Sequence, residues 1–160
     1  MNRLVSVTQA LKAKGVRLTL ERQLILRRAV NHLHFSAEEL VQDVRAIDPS
    51  VSRMTVFRTL SLLQQAGLAE KHDFRCGPPY YEVTYGKAHH DHLMCIRCGE
   101  IIEFQEPRWE RLQEAVVKRY GYELLSHTHK LYGVCQGCRQ NGSTRVRRRA
   151  PTLHVEEVVA

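Results

Sequence analysis

Cys95-Ile-Arg-Cys98 and Cys135-Gln-Gly-Cys138 place four thiols in two chelating pairs, and His89-His90-Asp91-His92 stands just before the first pair. Each Cys-x-x-Cys turn aims two thiolates at one point, so two turns complete a closed tetrahedral zinc site. The His/Asp cluster suits a second kind of metal site, built from nitrogen and oxygen. A chain carrying both kinds would use one metal to hold shape and another to sense or react.

Alternation along a strand divides that cluster. In an extended segment His90 and His92 face one side while His89 and Asp91 face the other. One short strand can therefore serve two sites back to back, each needing partners from elsewhere. Glu82, Glu103, Glu110, His127, His129, His34 and His32 are the candidates, and spacing alone does not assign them.

The elements that must position these groups fall into two halves. Thr19 is a plausible N-cap for a helix running to about Leu33. Ser36-Ala-Glu-Glu39 is a capping box opening a helix through about Ile47, with Leu40, Val44 and Ile47 on one face. Ser52 caps a third helix in which Val56, Leu60 and Leu63 recur at helical spacing, and Gly67 fits its C′ position. That order is a helix-turn-helix module. Strands at Leu68–His72 and Tyr80–Thr84, around Cys76-Gly-Pro-Pro79, would form a wing. If Val56, Leu60 and Leu63 face the core, Arg53, Thr55, Arg58 and Thr59 face outward, a basic and hydroxyl-bearing face suited to phosphates and base edges. Lys12, Lys14 and Arg17 could reach the DNA backbone or a minor groove.

In the second half, strands at His92–Met94 and Glu100–Phe104 flank the first cysteine turn. Trp109–Tyr120 is an amphipathic helix with Trp109, Leu112, Val116 and Tyr120 on one side. A further strand over Tyr122–Tyr132 leads into Cys135. The domain organisation is therefore residues 1–84 as a winged-helix domain, 85–88 as a hinge, 89–140 as a metal-binding domain and 141–160 as a basic, disordered tail carrying Arg145–Arg149.

Charge agrees with that division. The net charge is +7 over 160 residues, and residues 1–80 hold 12 Lys/Arg against 7 Asp/Glu, which points to an acidic partner such as nucleic acid. No run approaches the roughly 20 apolar residues of a membrane span. Met1–Lys12 lacks the apolar stretch of a signal peptide, so a cytoplasmic location is expected. Cysteines stay reduced there, and the Cys-x-x-Cys pairs read as metal ligands. Cys76 is then a free thiol.

His89-His-Asp-His-Leu-Met-Cys-Ile-Arg-Cys-Gly-Glu-Ile-Ile-Glu-Phe104 resembles the signature of the ferric uptake regulator family. Thr55-Val-Phe-Arg-Thr-Leu60 resembles its recognition helix, and His34-Phe-Ser-Ala-Glu-Glu-Leu40 another of its blocks. The likeness runs from about Gly15 to Cys138. It implies an α+β chain, with an N-terminal winged helix-turn-helix domain and a small C-terminal α/β dimerisation domain with a four-cysteine zinc site. It makes Cys95, Cys98, Cys135 and Cys138 the structural zinc ligands. His34, Glu82, His90, His92 and Glu103 match the regulatory site bridging the two domains. His89, Asp91, Glu110 and His127 match an additional site inside the dimerisation domain. Arg17, Phe57 and Arg58 match positions that approach DNA, with Phe57 standing where most relatives have tyrosine.

The function implied is a metal-responsive repressor, not an enzyme. It would bind a palindromic, double-stranded DNA operator as a homodimer, with pairing into tetramers possible, and would control metal uptake. Three histidines and two carboxylates suit Fe(II), Mn(II) or Zn(II). Glu at both acidic positions tilts the regulatory metal toward Fe(II) and away from the peroxide-sensing branch, where Asp resembles the norm. The alternatives are a zinc- or manganese-uptake regulator or a peroxide sensor of the same family. More distant ones are a hydrolase using His89, Asp91 and Glu110 around a metal-activated water, and an RNA-binding zinc ribbon.

Overall fold

Three side-chain caps set where the N-terminal helices begin. Thr19, Ser36 and Ser52 each have extended backbone, and each side-chain oxygen accepts a backbone N–H three residues on. At Ser36 the box is complete, because the Glu39 carboxylate also accepts the Ser36 N–H at 2.7 Å. The structure, a computed structural model, describes residues 3–73, 78–140 and 155–157. It divides into two units, Met1–Lys87 and Ala88–Ala160.

The first unit contains helices α1 (Arg3–Ala13), α2 (Leu20–Ala29), α3 (Ala37–Arg45) and α4 (Arg53–Gln65), with strands β1 (Phe35–Ser36), β2 (Glu70–His72) and β3 (Tyr80–Glu82). The strands form an antiparallel sheet in the order β1-β3-β2, with Phe35 opposite Tyr81 and Lys71 opposite Tyr81 on the other edge. Ile25, Leu26, Leu40, Val44, Val56, Leu60 and Leu63 close one apolar core among the helices, joined by Phe35 and Val83. Gly67, at φ +66, ends α4 in the left-handed region and turns the chain into β2. The result is a winged helix-turn-helix domain.

Several local expectations need correction here. Helix α1 is an addition to the expected elements; among its described residues it buries only Val7 and Leu11, one turn apart. Helix α2 stops at Ala29 and not near Leu33, with Val30 as its C-cap. Ile47 is 56% exposed, since α3 ends at Arg45 and the helical spacing no longer governs it.

The second unit contains β4 (Asp91–Cys95), β5 (Ile101–Gln105), α5 (Pro107–Arg119), β6 (Lys130–Gly133), α6 (Gln136–Gln140) and β7 (Val155–Glu157). The sheet order is β6-β4-β5-β7, with β4 antiparallel to β5 and parallel to β6. The strand expected over Tyr122–Tyr132 is confined to β6. Its pairing, His92 opposite Lys130 through Cys95 opposite Gly133, already uses nearly all of β4. Gly121, at φ +75, ends α5, and Tyr122 and Leu125 are exposed.

Strand β7 pairs parallel to β5 from Glu103 opposite Val155 to Gln105 opposite Glu157. This corrects the expectation that 141–160 is a tail without structure. The outer edge of β5 offers unpaired backbone groups that a short extended segment can satisfy, a demand invisible in tail composition. The rest of that segment, with Arg145–Arg149, and Cys76 lie outside the described residues. Among the described residues no helix is long and apolar enough to cross a membrane.

Candidate metal centres and nucleic-acid interface

The cysteine turn between β4 and β5 is closed by Gly99, whose N–H reaches the Cys95 carbonyl at 2.9 Å and whose φ is +77. Strand β6, lying parallel to β4, delivers Cys135 and then Cys138 on the first turns of α6. The four Sγ atoms lie within 4.8 Å of one another, and Cys98 and Cys135 are 3.7 Å apart. A tetrahedron of sulfurs about 2.3 Å from zinc has edges of about 3.8 Å, so the donor set and spacing fit that ion.

The thiols are not equivalent. Burial pushes Cys95 up, but backbone N–H groups of Cys135, Cys98 and Arg97 together outweigh it and bring the thiol down to about 6. The Cys135 N–H is 3.3 Å from Cys95 Sγ. Burial pushes Cys98 up to about 12, with the neighbouring thiols adding to the effect, and burial with Cys135 and Cys95 raises Cys138 against an opposing bond to Cys98. Loading such a set with metal releases protons.

The segment leading into β4 separates its side chains by face. His90 Nε2 lies 3.7 Å from Glu103 Oε1, and the His90 and His92 rings are 5.0 Å apart. His92 is also directly opposite Glu103 across the β4–β5 ladder. On the other face His89, Asp91 and His127 bring their donor atoms within 4.8 Å of one another. Glu110, in the first turn of α5, joins them at 3.5 Å from His89 Nδ1 and 3.3 Å from His127 Nε2. His129 packs edge-on to Trp109, with Nδ1 3.6 Å from Asp91 Oδ2.

In the first unit, His34 and Glu82 are buried together, with Nε2 and Oε2 3.4 Å apart. Two further groups accompany Glu82. His72 Nε2 is also 3.4 Å from Oε2, and the Lys87 ammonium bonds the other carboxylate oxygen. His72 is the buried neighbour that sequence reasoning missed, because the β2–β3 register that brings it beside Glu82 is not readable from composition. His32, a candidate partner, is instead 2.9 Å from Asp43. Asp43 also takes a forked bond from Arg28, which holds its carboxyl below the usual carboxylate range, with His32 assisting against burial.

Helix α4 presents Arg53 and Arg58 to solvent, with Thr55 and Phe57 half-buried. Thr59, expected on that face, is only 2% exposed. At 100° per residue it lies about 60° from Val56, inside the apolar stripe, and its hydroxyl donates to the Thr55 carbonyl at 2.8 Å. Thr55 Oγ1 lies 2.9 Å from the Ser52 cap oxygen. Arg53 pairs with Glu38 and lies over the Phe57 ring, 4.8 Å from its centroid. Arg17 is exposed just before α2.

A basic recognition-type helix in a winged helix, joined in one chain to a small domain holding four thiols and a cluster of N/O donors, defines a metal-binding transcription regulator. Residues 13–132 match the model of the ferric uptake regulator family, and the chain belongs to that family. It is 35% identical over 134 residues to the ferric uptake regulation protein of Neisseria meningitidis, covering 82% of this chain and 92% of that one. Its fold is similar to that of the Helicobacter pylori ferric uptake regulator, described as having three functional metal-binding sites. The TM-score is 0.76 at 30% identity, over 85% of this chain and 93% of that one. A zinc-bound manganese uptake regulator is also similar, with a TM-score of 0.65 at 36% identity over 81% and 98% of the two chains. The chain is thus a metal-responsive regulator with a four-cysteine zinc site.

Proposed function

We propose that this chain represses metal-uptake genes in the cytoplasm, binding a palindromic operator as a dimer when its regulatory site holds Fe(II). The observation that carries this reading is the division of N/O donors between the units. His34 and Glu82 are buried together in the first unit, while His90, His92 and Glu103 gather on one face of the second. Neither group alone fills the five or six positions that Fe(II) or Mn(II) favours with such ligands. These five side chains can share one ion in only one relative orientation of the units, so occupancy becomes a population shift toward that orientation. Bound there, the metal supplies binding free energy and no reaction. In a two-fold dimer, Arg53, Thr55, Phe57 and Arg58 of each α4 would then meet successive major grooves, with Arg17 near the backbone.

Cys95, Cys98, Cys135 and Cys138 hold zinc as a permanent staple in this reading. His89, Asp91, Glu110 and His127 form the additional site. The apolar stripe of α5 supports the dimer: Leu112 is 62% and Tyr120 70% exposed, and Val116 lies between them. Likeness to a zinc-bound manganese uptake regulator gives a manganese-responsive regulator as the second reading. Gel shifts of duplexes selected from a random pool, with Fe(II), Mn(II), Zn(II) or none, test the proposal. The expected result is binding strongest with Fe(II). Stronger binding with Mn(II) would favour the second reading, and metal-independent or absent binding would sink both.

A further inference from the structure

Arg53 is the first helical residue of α4, directly after the Ser52 cap, and two groups fix its guanidinium. Glu38, in the first turn of α3, takes its side edge. Arg53 Nε is 3.0 and 3.2 Å from the two carboxylate oxygens, and Nη2 bonds Oε1 as well. Below lies the Phe57 ring, one turn further along the helix and itself packed against the core. The ion pair is exposed at both ends, and such pairs add little to folding stability. Their effect is orientation.

A guanidinium carries five N–H donors in a planar fork. Glu38 occupies the Nε–H and one Nη2–H. The end-on pair, one N–H each from Nη1 and Nη2, stays open, and no protein group bonds Nη1 among the described residues. Two parallel donors of that kind match guanine O6 and N7 in the major groove. The Glu38 carboxylate also offsets the positive charge at this spot. That suits a neutral base edge better than a phosphate, which a mobile cation without a neighbouring anion serves well.

We infer that Arg53, braced by Glu38 and Phe57, is a specificity-determining residue that reads a guanine in each operator half-site. The inference rests on the reading of α4 as the helix that enters the major groove. Helix N-terminal residues are the ones that reach base edges in helix-turn-helix complexes, and Arg53 is at that end. The phenyl ring at Phe57 then acts as a platform for the arginine and not as a hydrogen-bonding group.

The test is selection of duplexes from a random pool by the metal-loaded full chain, for the wild type, Arg53→Ala and Glu38→Ala. Melting curves of each variant serve as the check on folding. The wild-type pool should carry a guanine at one symmetric position of each half-site. Arg53→Ala should lose that preference alone, by about 5- to 150-fold in relative affinity. Glu38→Ala should weaken it at the same position. Replacing that guanine with 7-deazaguanine should weaken wild-type binding and leave Arg53→Ala unaffected. If Arg53→Ala weakens all sequences alike and flattens the salt dependence by about one ion, Arg53 contacts phosphate and the inference is overturned. If it keeps every base preference, the inference is equally overturned. A wild-type chain that enriches no duplex at all refutes the DNA-binding reading itself, and the guanine contact with it.

Discussion

Stripping zinc from the four cysteines should unfold the second unit and leave the first folded. The reason is the distribution of buried apolar groups. All members of the main hydrophobic cluster lie between Val7 and Val83. Among the described residues of the second unit the buried apolar ones are Met94, Cys95 and Ile101, one of which is itself a zinc ligand, and α5 buries none. Burial of Met94 and Ile101 contributes about 1.5–3 kcal/mol each. A structural zinc contributes roughly 10–16 kcal/mol, as an apparent value at neutral pH in small domains. Zinc therefore outweighs the burial of these two side chains by a factor of roughly 1.7 to 5, and without it the ordering of β4, β5 and α5 is not offset. Hydrogen exchange read by mass spectrometry resolves the two units separately. After chelation under reducing conditions, amides of 91–95 and 101–105 should exchange fast while α3 and α4 stay protected. Trp109, held edge-on by Phe104 and His129, should change its fluorescence in the same step. Retained protection in both strands, with zinc loss verified by metal analysis, would refute the assignment of zinc as the staple.

Four further outcomes are expected. Ser36→Ala removes the hydroxyl that accepts the Glu39 N–H and leaves the backbone half of the capping box at α3, which costs about 1 kcal/mol and should lower the melting temperature of the first unit by about 4–8 °C. Arg28 lowers the Asp43 carboxyl, so this group stabilises the fold above its unfolded value and loses that contribution as pH falls through the folded one. Asp43→Asn should accordingly melt below the wild type at pH 7, and the two melting curves should converge below about pH 4. His92→Ala should leave the melting curve close to the wild type yet abolish the metal-dependent gel shift, whereas Cys95→Ser should reproduce zinc loss; identical behaviour would end the division between sensing and structural sites. Leu112→Glu places a charge in the exposed stripe of α5 and should yield monomers in sedimentation.

Legibility in the sequence followed the range of each interaction. The caps at Thr19, Ser36 and Ser52 involve residues three apart, so the chain displays them directly. The same holds for the cysteine turns and for the alternation that parts His90 and His92 from His89 and Asp91. Where a partner arrives from far along the chain, the sequence is silent. His72 reaches Glu82 only through the pairing of β2 with β3, and β7 meets β5 across about fifty residues. Thr59 departs from expectation for a different reason: a threonine inside an apolar stripe can bond its own helix, so polarity misplaces it. Helix α1 rests on two buried side chains, too few to make a period.

The contrast between the units also limits what metal can alter. The shape of α4 and the setting of Arg53 are fixed inside the first unit by an apolar core, by the Ser52 cap and by Glu38. None of these is a metal donor. If the proposed regulatory ion is held by His34, Glu82, His90, His92 and Glu103, its binding would leave the chemistry of the recognition face unchanged and act on where that face is held. Metal would then govern affinity for a site with two half-sites, since only a paired site is sensitive to the placement of two helices. Base preference within one half-site would belong to the first unit alone. On the proposed reading, sensing would rest on coordination by donors of both units and reading on apolar packing within one.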